Sequence, residues 1–536
     1  METIPEHGIY VAGRWIRTDR TDPIDNPATG EVFARVTRAE DVHLAEAFRK
    51  ATDAAPKWAD IMVEERAGFL VGAFDLVFEK RHEIARLISQ EQGKPFAEAM
   101  TLEIIPSLDM LRYYASKAPL FLAPDKTPFH QPWFTAKESR VVFAPLGVVA
   151  ALTPSFSPWI APFMSVCLAL VAGNAIILKP SDKTPLCGLK VAEIFDELGL
   201  PDGLLSVLHG DDAFGAKVAD LSVAAVTFIG SRESGAKIAT QCCSSFKKSI
   251  VGCGGKNPLV VLDDADLDLS AEAAIWGAFA NNGQYHANTE RVLIHENVAD
   301  EWVKKAAAHL AKLHIGDPLA DDTDLGPMIS TEQHQMLDRL IAEATASGAR
   351  MAARLQIPHG LAANFYSPAI LTRVKSSMSI IREPYDGPVM TVETFRDDAE
   401  AIALANDTIY GLSASIWSLN EKRAGEIAAK LQFGNIWVND VVFAFEIPHA
   451  PWGGNKQSGH GQIQSPYGLL EYVFLKHVGF DPPATPAKEY YFQYDRDLRV
   501  YIEYVLDSLK AGNPLTRYLY KMKIRDLSRT RQFLKP

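Results

Sequence analysis

From Val141 to Leu178 the chain carries no charged residue, a run longer than the apolar stretch that normally marks a membrane-spanning helix. No other feature restricts the fold as strongly, because backbone this apolar must lie either in lipid or in the middle of a protein core. Pro145, Pro154, Pro158 and Pro162, with Gly147 and Gly173, cut it into pieces too short to cross a bilayer as one helix. It reads as a buried strand (GVVAAL), a turn, a helix (PWIAPFMSVCLALVAG) and a strand (NAIILKP), with a further helix in TPLCGLKVAEIFDELGLP. LLSVLHG, GAKVADLS and VAAVTFIG continue the alternation. Strands alternating with helices of this length imply right-handed crossovers and a parallel sheet, which binds ligands at the carboxyl ends of its strands.

Upstream, residues 41 to 120 show the three- and four-residue apolar spacing of amphipathic helices. Downstream, a second α/β block runs from NPLVVLDDADLD at 257 through HANTERVLIHENVADEWVKKAAAHLAKL to GNIWVNDVVF near 434. Residues 481 to 493, DPPATPAKEYYFQ, form a proline-bearing linker, and DRDLRVYIEYVLDSLKAGN is an amphipathic helix stopped by Gly512 and Pro514. The last stretch sets Arg517, Lys521, Lys523, Arg525, Arg529, Arg531 and Lys535 against Asp526 alone. It reads as a segment that docks on the acidic body of the protein's own oligomer, with nucleic acid or membrane as the alternative contact. Lysine plus arginine total 54 against 66 acids, a formal charge of −12, so net charge gives no overall attraction to nucleic acid or to an anionic membrane. Small-molecule chemistry, with no nucleic acid partner and no membrane span, is the expectation. The five cysteines are odd in number and lack zinc-site spacing, and METIPEHGIYVAGRW contains no secretory signal, so reduced thiols and a cytoplasmic location are expected.

Two strand ends suit a dinucleotide. VTFIGSRESGAKI places Gly230 and Ser231 between a strand and a helix, the glycine admitting phosphate and the serine capping the helix at its positive end. AIILKPSDKTP puts Lys179 at another strand end with Asp182 three residues later, a charge pair for a phosphate or ribose hydroxyl. No GxGxxG is present. NNGQYHANTER, residues 281 to 291, sets His286 in a polar turn. From the residues alone it is a general base, a metal ligand, a nucleophile or a plain second-layer residue.

Taken in order, APLGVVAALTP, AGNAIILKPSDKTP, FIGSRESG, GGKNP, NNGQ with Arg291, GPV, NDTIYGLSASIW, GNIWVN and PWGGNKQSGHG resemble the aldehyde dehydrogenase superfamily over roughly residues 8 to 480. The resemblance implies an α/β fold in several parts. These are a Rossmann-like cofactor domain (1–126 and 144–255), an α/β catalytic domain (256–455), a β-arm for oligomerisation (127–143 and 471–480) and a C-terminal extension (481–536). It implies a homodimer or homotetramer and NAD or NADP as cofactor, with Thr153, Pro154, Lys179, Asp182, Gly230 and Ser231 at the family's cofactor contacts. Aspartate at 182 replaces a commoner, longer glutamate.

In the family a cysteine thiolate attacks the aldehyde, hydride passes to NAD(P), and a glutamate-activated water hydrolyses the thioester. By resemblance the cysteine position is His286, the glutamate position is Gly252 in GCGGK, and the oxyanion asparagine position is Phe156 in TPSFSP. The glutamate that holds the nicotinamide ribose and the phenylalanine beside the ring become Pro384 and Asp386 in EPYDGP. Losing one oxyanion donor alone costs about a hundred- to a thousandfold. The expectation is therefore a catalytically degenerate homologue, a pseudoenzyme acting as scaffold, partner subunit or ligand sensor. The alternative is a repurposed enzyme in which His286, with Tyr285, His449 or Cys253, performs acyl transfer, hydrolysis or condensation on a carbonyl substrate. Cys253, beside the old base position, is either a relocated nucleophile or a buried inert thiol. Residues 440 to 452, DVVFAFEIPHAPW, correspond to the family's substrate mouth and suit a small apolar carbonyl ligand or core packing. A metal site on His286 and His449 is a third reading without companion ligands.

Overall fold

The computed structural model describes residues 4–128, 137–441, 447–481 and 494–534. Two compact units are present, one of residues 1–121 and 145–474, the other of 122–144 and 475–536.

The first unit contains two large sheets. In chain order the strands of one are β1 (Ile9–Val11), β2 (Arg14–Ile16), β3 (Val148–Leu152), β4 (Ala175–Lys179), β5 (Leu205–Val207), β6 (Ala225–Gly230) and β7 (Lys248–Cys253). Those of the other are β8 (Asn257–Val261), β9 (Thr289–His295), β10 (Arg350–Arg354), β11 (Ala369–Thr372), β12 (Val389–Phe395), β13 (Ser413–Trp417) and β14 (Asn435–Val438). A short β15 (Gly459–His460) returns to the first sheet, whose order is β15-β7-β6-β3-β4-β5-β1-β2. Strands β7, β6, β3, β4 and β5 are mutually parallel. The direction of winding reverses between β3 and β6, and the crevice at such a reversal is where open α/β sheets bind ligands. The second sheet runs β10-β11-β12-β9-β8-β13-β14, parallel throughout except for β10 at its edge.

The uncharged stretch is the centre of the first sheet and its covering helix. Every residue of β3, of β4 and of the helix Ile160–Val171 is buried. Trp159, fully buried and stacked on Phe163 at 4.7 Å, seats the start of that helix. Its side chain donates to Ser107 Oγ at 3.1 Å, so the indole buries its polar atom at no cost in hydrogen bonding. Among the described residues no helix is long and apolar enough to cross a membrane.

The second unit holds a three-stranded sheet that draws on Asp125–Lys126, Glu138–Pro145 and Val473–Phe480, and a pair of helices, Arg496–Lys510 and Pro514–Leu534. Pro514 opens the second helix, where its missing N–H costs nothing, so the expected stop is also a new start. The linker at 482–493 and residues 129–136 of the arm lie outside the described residues. So do Lys535 and the side chains of Arg525, Arg529 and Arg531 in the basic end.

Candidate active site

The six residues expected to meet a cofactor come together. Thr153 and Pro154 follow β3, Lys179 ends β4, Asp182 follows it, and Gly230 and Ser231 close β6; all line one cleft of about 760 Å³. They meet because carboxyl ends of adjacent parallel strands share one sheet edge. Ser231 caps the helix Arg232–Ser244, its Oγ accepting from Ser234 N at 3.2 Å, and that helix begins in the cleft wall. Burial pushes the Lys179 ammonium below its ordinary pKa, against the pull of Asp182, Asp212 and Asp211. The expected Lys179–Asp182 pair is not a direct contact: Asp182 is exposed, and its Oδ1 meets Ser181 Oγ at 3.5 Å. Thr153 Oγ1 is buried without a hydrogen-bond partner. An orphaned hydroxyl, an anion-favouring helix start and a buried lysine in one cleft fit a phosphate-bearing dinucleotide.

The turn that carries His286 is strained and pinned. Asn281, Asn282 and Gly283 have φ of 51°, 54° and 69° in succession, a left-handed run that costs on the order of 1 kcal/mol or more at each non-glycine. Asn281 donates its backbone N–H to Glu98 Oε2 at 2.8 Å and its side-chain amide to the Phe156 carbonyl at 3.3 Å. A Cβ on Gly283 would stand 2.3 Å from the Gly387 carbonyl oxygen. The two backbones touch there, with Gly387 N–H donating to the Gly283 carbonyl at 3.1 Å, which holds the Pro384–Asp386 loop against the turn.

His286 sits among Phe156 (4.7 Å between ring centres), Tyr285 (5.0 Å) and Trp452 (5.6 Å). Nε2 accepts the Trp452 indole N–H at 3.3 Å, and Nδ1 is buried without a partner. Burial drops the imidazole pKa to about 3. The ring still lines the cleft, but its one basic nitrogen is already taken, so as placed it acts as neither base nor nucleophile.

Sequence reasoning passed over Glu290, four residues on at the start of β9. Its carboxylate forms an ion pair with fully buried Lys256 and lines the cleft together with His286, Tyr385 and Asp386. Lys256 Nζ also donates to the Ile380 carbonyl at 3.2 Å and lies 3.6 Å from the Tyr385 ring centre. Burial outweighs Lys256 and lifts Glu290 to about 7. Asp386 remains open to the cleft yet is ringed by protein, and burial raises it to about 6 against the pull of Lys256. The signal for Glu290 was an acid inside a strand whose every residue is buried, a placement that needs a charged partner.

Other expected residues lie elsewhere or are filled in. Cys253 is 3% exposed, and burial raises its thiol to about 11 while Sγ sits 3.8 Å from the Ser231 carbonyl. That is a packed, protonated thiol, which corrects its candidacy as a relocated nucleophile. A Cβ on Gly252 would meet Ile463 Cδ1 at 2.8 Å, so an isoleucine occupies the space beside the position where the family's base is expected. His449 is exposed against Tyr113, with ring centres 6.5 Å apart, and is not part of the cleft wall. The described residues contain no cluster of histidine, cysteine and acids able to hold a metal, which corrects the reading that paired His286 with His449. From the 440–452 segment Trp452 reaches His286, whereas residues 442–446, with both phenylalanines, lie outside the described residues.

The sequence profile of the aldehyde dehydrogenase family matches residues 15–478. The glutarate-semialdehyde dehydrogenase of Pseudomonas aeruginosa is 34% identical over 473 residues, covering 88% of this chain and 96% of that protein. The peroxisomal aminoaldehyde dehydrogenase 1 of Malus domestica is 36% identical over 485 residues, covering 89% and 96%. A crystal structure of betaine aldehyde dehydrogenase from Staphylococcus aureus in complex with NAD+ superposes with a TM-score of 0.85 at 30% identity, covering 91% of this chain and 97% of that one. These relatives overturn the expectation that aldehyde oxidation has been lost. Proteins alike over nearly nine-tenths of the chain are named for that reaction, and nothing in the comparison marks a loss of activity. The scaffold, partner-subunit and sensor reading, and the reading of His286 as a non-redox catalyst, are corrected with it.

Proposed function

The chain belongs to the aldehyde dehydrogenase family, and we propose that it oxidises an aldehyde with NAD or NADP, by a route that uses no thiol. One observation carries this reading: the six cofactor-contact residues line the same cleft as His286 and the buried acid Glu290. Lys179, Ser231 and the start of the helix Arg232–Ser244 hold the adenosine and pyrophosphate end, and Thr153 offers its unpartnered hydroxyl. When bound, the dinucleotide would supply an acceptor for the hydride that leaves the gem-diol carbon of a hydrated aldehyde.

The chain's own residues set the rest. With His286, Gly252 and Phe156 where the family's cysteine, glutamate and asparagine are expected, the thioester route has no nucleophile, base or side-chain amide in this site. A hydrated aldehyde needs no covalent bond to protein. As its C–H bond breaks, one hydroxyl gives up its proton and the carbon–oxygen double bond of the acid forms. Glu290 accepts that proton, and Lys256 holds the carboxylate in place and stabilises its charged form. A base with a pKa near the working pH is well matched to such a transfer. His286, its ring stacked on Phe156, gives the cleft an apolar wall.

We also place the protein in the cytoplasm as a homodimer or homotetramer, with residues 1–126 and 144–255 as the cofactor domain and 256–455 as the catalytic domain. The test is calorimetric titration with NAD+ and NADP+, followed by NAD(P)H formation with glutarate semialdehyde, an aminoaldehyde and betaine aldehyde. Saturable NAD(P)H formation with one of them is expected. Dinucleotide binding with no turnover of any aldehyde would overturn the assignment.

A further inference from the structure

The family profile ends at residue 478, and the described chain beyond it continues into the helices Arg496–Lys510 and Pro514–Leu534. They pack against each other by one face. Tyr504 and Tyr520 lie 6.3 Å apart, Lys523 Nζ lies 5.1 Å from the Tyr504 ring centre, and Leu498 and Ile524 are buried. Other positions are apolar and open to solvent. On the first helix Ile502, Leu506 and Leu509 follow i, i+4, i+7 spacing and are 46%, 53% and 62% exposed. On the second, Leu515, Tyr518, Leu519 and Met522 follow i, i+3, i+4, i+7 spacing and are 37% to 70% exposed.

Such spacing puts each set on one side of its helix. On the second helix Lys521 and Lys523 flank the stripe, one on each side, by the rotation of about 100° per residue. The helix carries Arg517, Lys521, Lys523, Arg525, Arg529 and Arg531 against Asp526, within a chain of net charge −12. An acidic protein face would meet the charge but leave these apolar side chains uncovered, and a second copy of the hairpin, with nine basic residues against five acidic over 495–534, would oppose net positive charge. An anionic bilayer surface meets both needs, with head groups for the lysines and arginines and an acyl boundary for the stripe, where tyrosine is also favoured.

We propose that this hairpin is a peripheral anchor that lays its apolar stripes on an anionic membrane surface. The probe is the full-length protein with phosphatidylcholine vesicles prepared with and without phosphatidylglycerol, read by co-sedimentation. Binding to the anionic vesicles only, weakened by salt, is expected. Lys521→Gln with Lys523→Gln should weaken it about thirtyfold at low salt, from about 1 kcal/mol per basic residue near the surface. Leu506→Glu with Leu519→Glu should abolish it, with far-ultraviolet circular dichroism to check that the helices persist. Should the leucine variant lose its helices, the lysine variant decides alone. Absent binding to anionic vesicles, or equal binding to neutral ones, would overturn the proposal. So would a leucine variant that splits an oligomer in sedimentation velocity while vesicle binding is unchanged.

Discussion

Trp452 donates its indole N–H to Nε2 of His286 at 3.3 Å, from a ring set edge-on at 85°. An indole nitrogen can only donate, so Nε2 accepts and the imidazole proton sits on Nδ1. One contact thereby decides what His286 is: a neutral, oriented wall residue of the cleft.

The pH dependence of stability follows with a definite sign. The folded pKa of His286, about 3, lies below its ordinary value of 6.5, so the unfolded chain takes up the proton first as pH falls. The contribution is whole above about pH 6.5 and is lost as pH drops toward 3. Denaturant unfolding at several pH values should show His286→Leu flattening the wild-type slope by up to about 1.4 kcal/mol per pH unit between roughly pH 6 and 4. Equal slopes would mean that the imidazole is solvated.

Activity should survive thiol alkylation. Of the five free cysteines Cys243 is exposed and the other four are buried, so brief iodoacetamide treatment should add one label by intact mass and leave NAD(P)H formation unchanged. Cys253→Ala should also retain activity. Inactivation in step with a label on Cys253 would restore a thiol to the mechanism.

Glu290 should set the pH profile of turnover. A base must be deprotonated, and with its carboxyl raised to about 7 kcat should rise with pH through that value. Glu290→Gln should lower kcat by about a hundredfold or more and abolish the rise, with dinucleotide affinity unchanged. A variant that shifts KM alone would make Glu290 a structural partner of Lys256.

Lys179→Met tests the cofactor half separately. A charge-assisted hydrogen bond is worth about 1.5–3 kcal/mol, so Kd for the dinucleotide should rise by roughly ten- to a hundredfold in calorimetry. Ser231→Ala removes the Ser234 N–H acceptor and should cost about 1 kcal/mol of stability. An unchanged Kd in Lys179→Met would place the phosphates elsewhere.

Replacing Gly252 with glutamate should not rebuild the family's base by itself. Its Cβ meets Ile463 Cδ1 at 2.8 Å, an overpacking expected to cost about 1–3 kcal/mol. Thermal melting should show Gly252→Glu destabilised and Gly252→Glu with Ile463→Ala partly recovered.

The uncharged run, cut by prolines, was enough to dictate strands β3 and β4 and the helix between them, because burying that much apolar surface leaves one packing solution. The turn glycine and cap at Gly230 and Ser231 were legible for a similar reason, since a strand-to-helix turn is local chemistry. Family motifs, also local, located His286, Gly252 and Phe156. What those positions do was not local. The Trp452 contact joins residues far apart in sequence, and so does the Lys256–Glu290 pair. The burial that lowers His286 and raises Glu290 and Cys253 comes from elements packed over them, which no neighbouring residue reveals. The second helix of the extension was hidden because a proline that ends one helix can begin another, and its stripe was masked by the basic residues between. Sequence by itself determined the alternation, the strand ends and the family, all set by nearest neighbours and apolar spacing. Protonation states, the identity of the buried acid and the silencing of Cys253 were decided only when tertiary packing removed water from some groups and supplied partners to others.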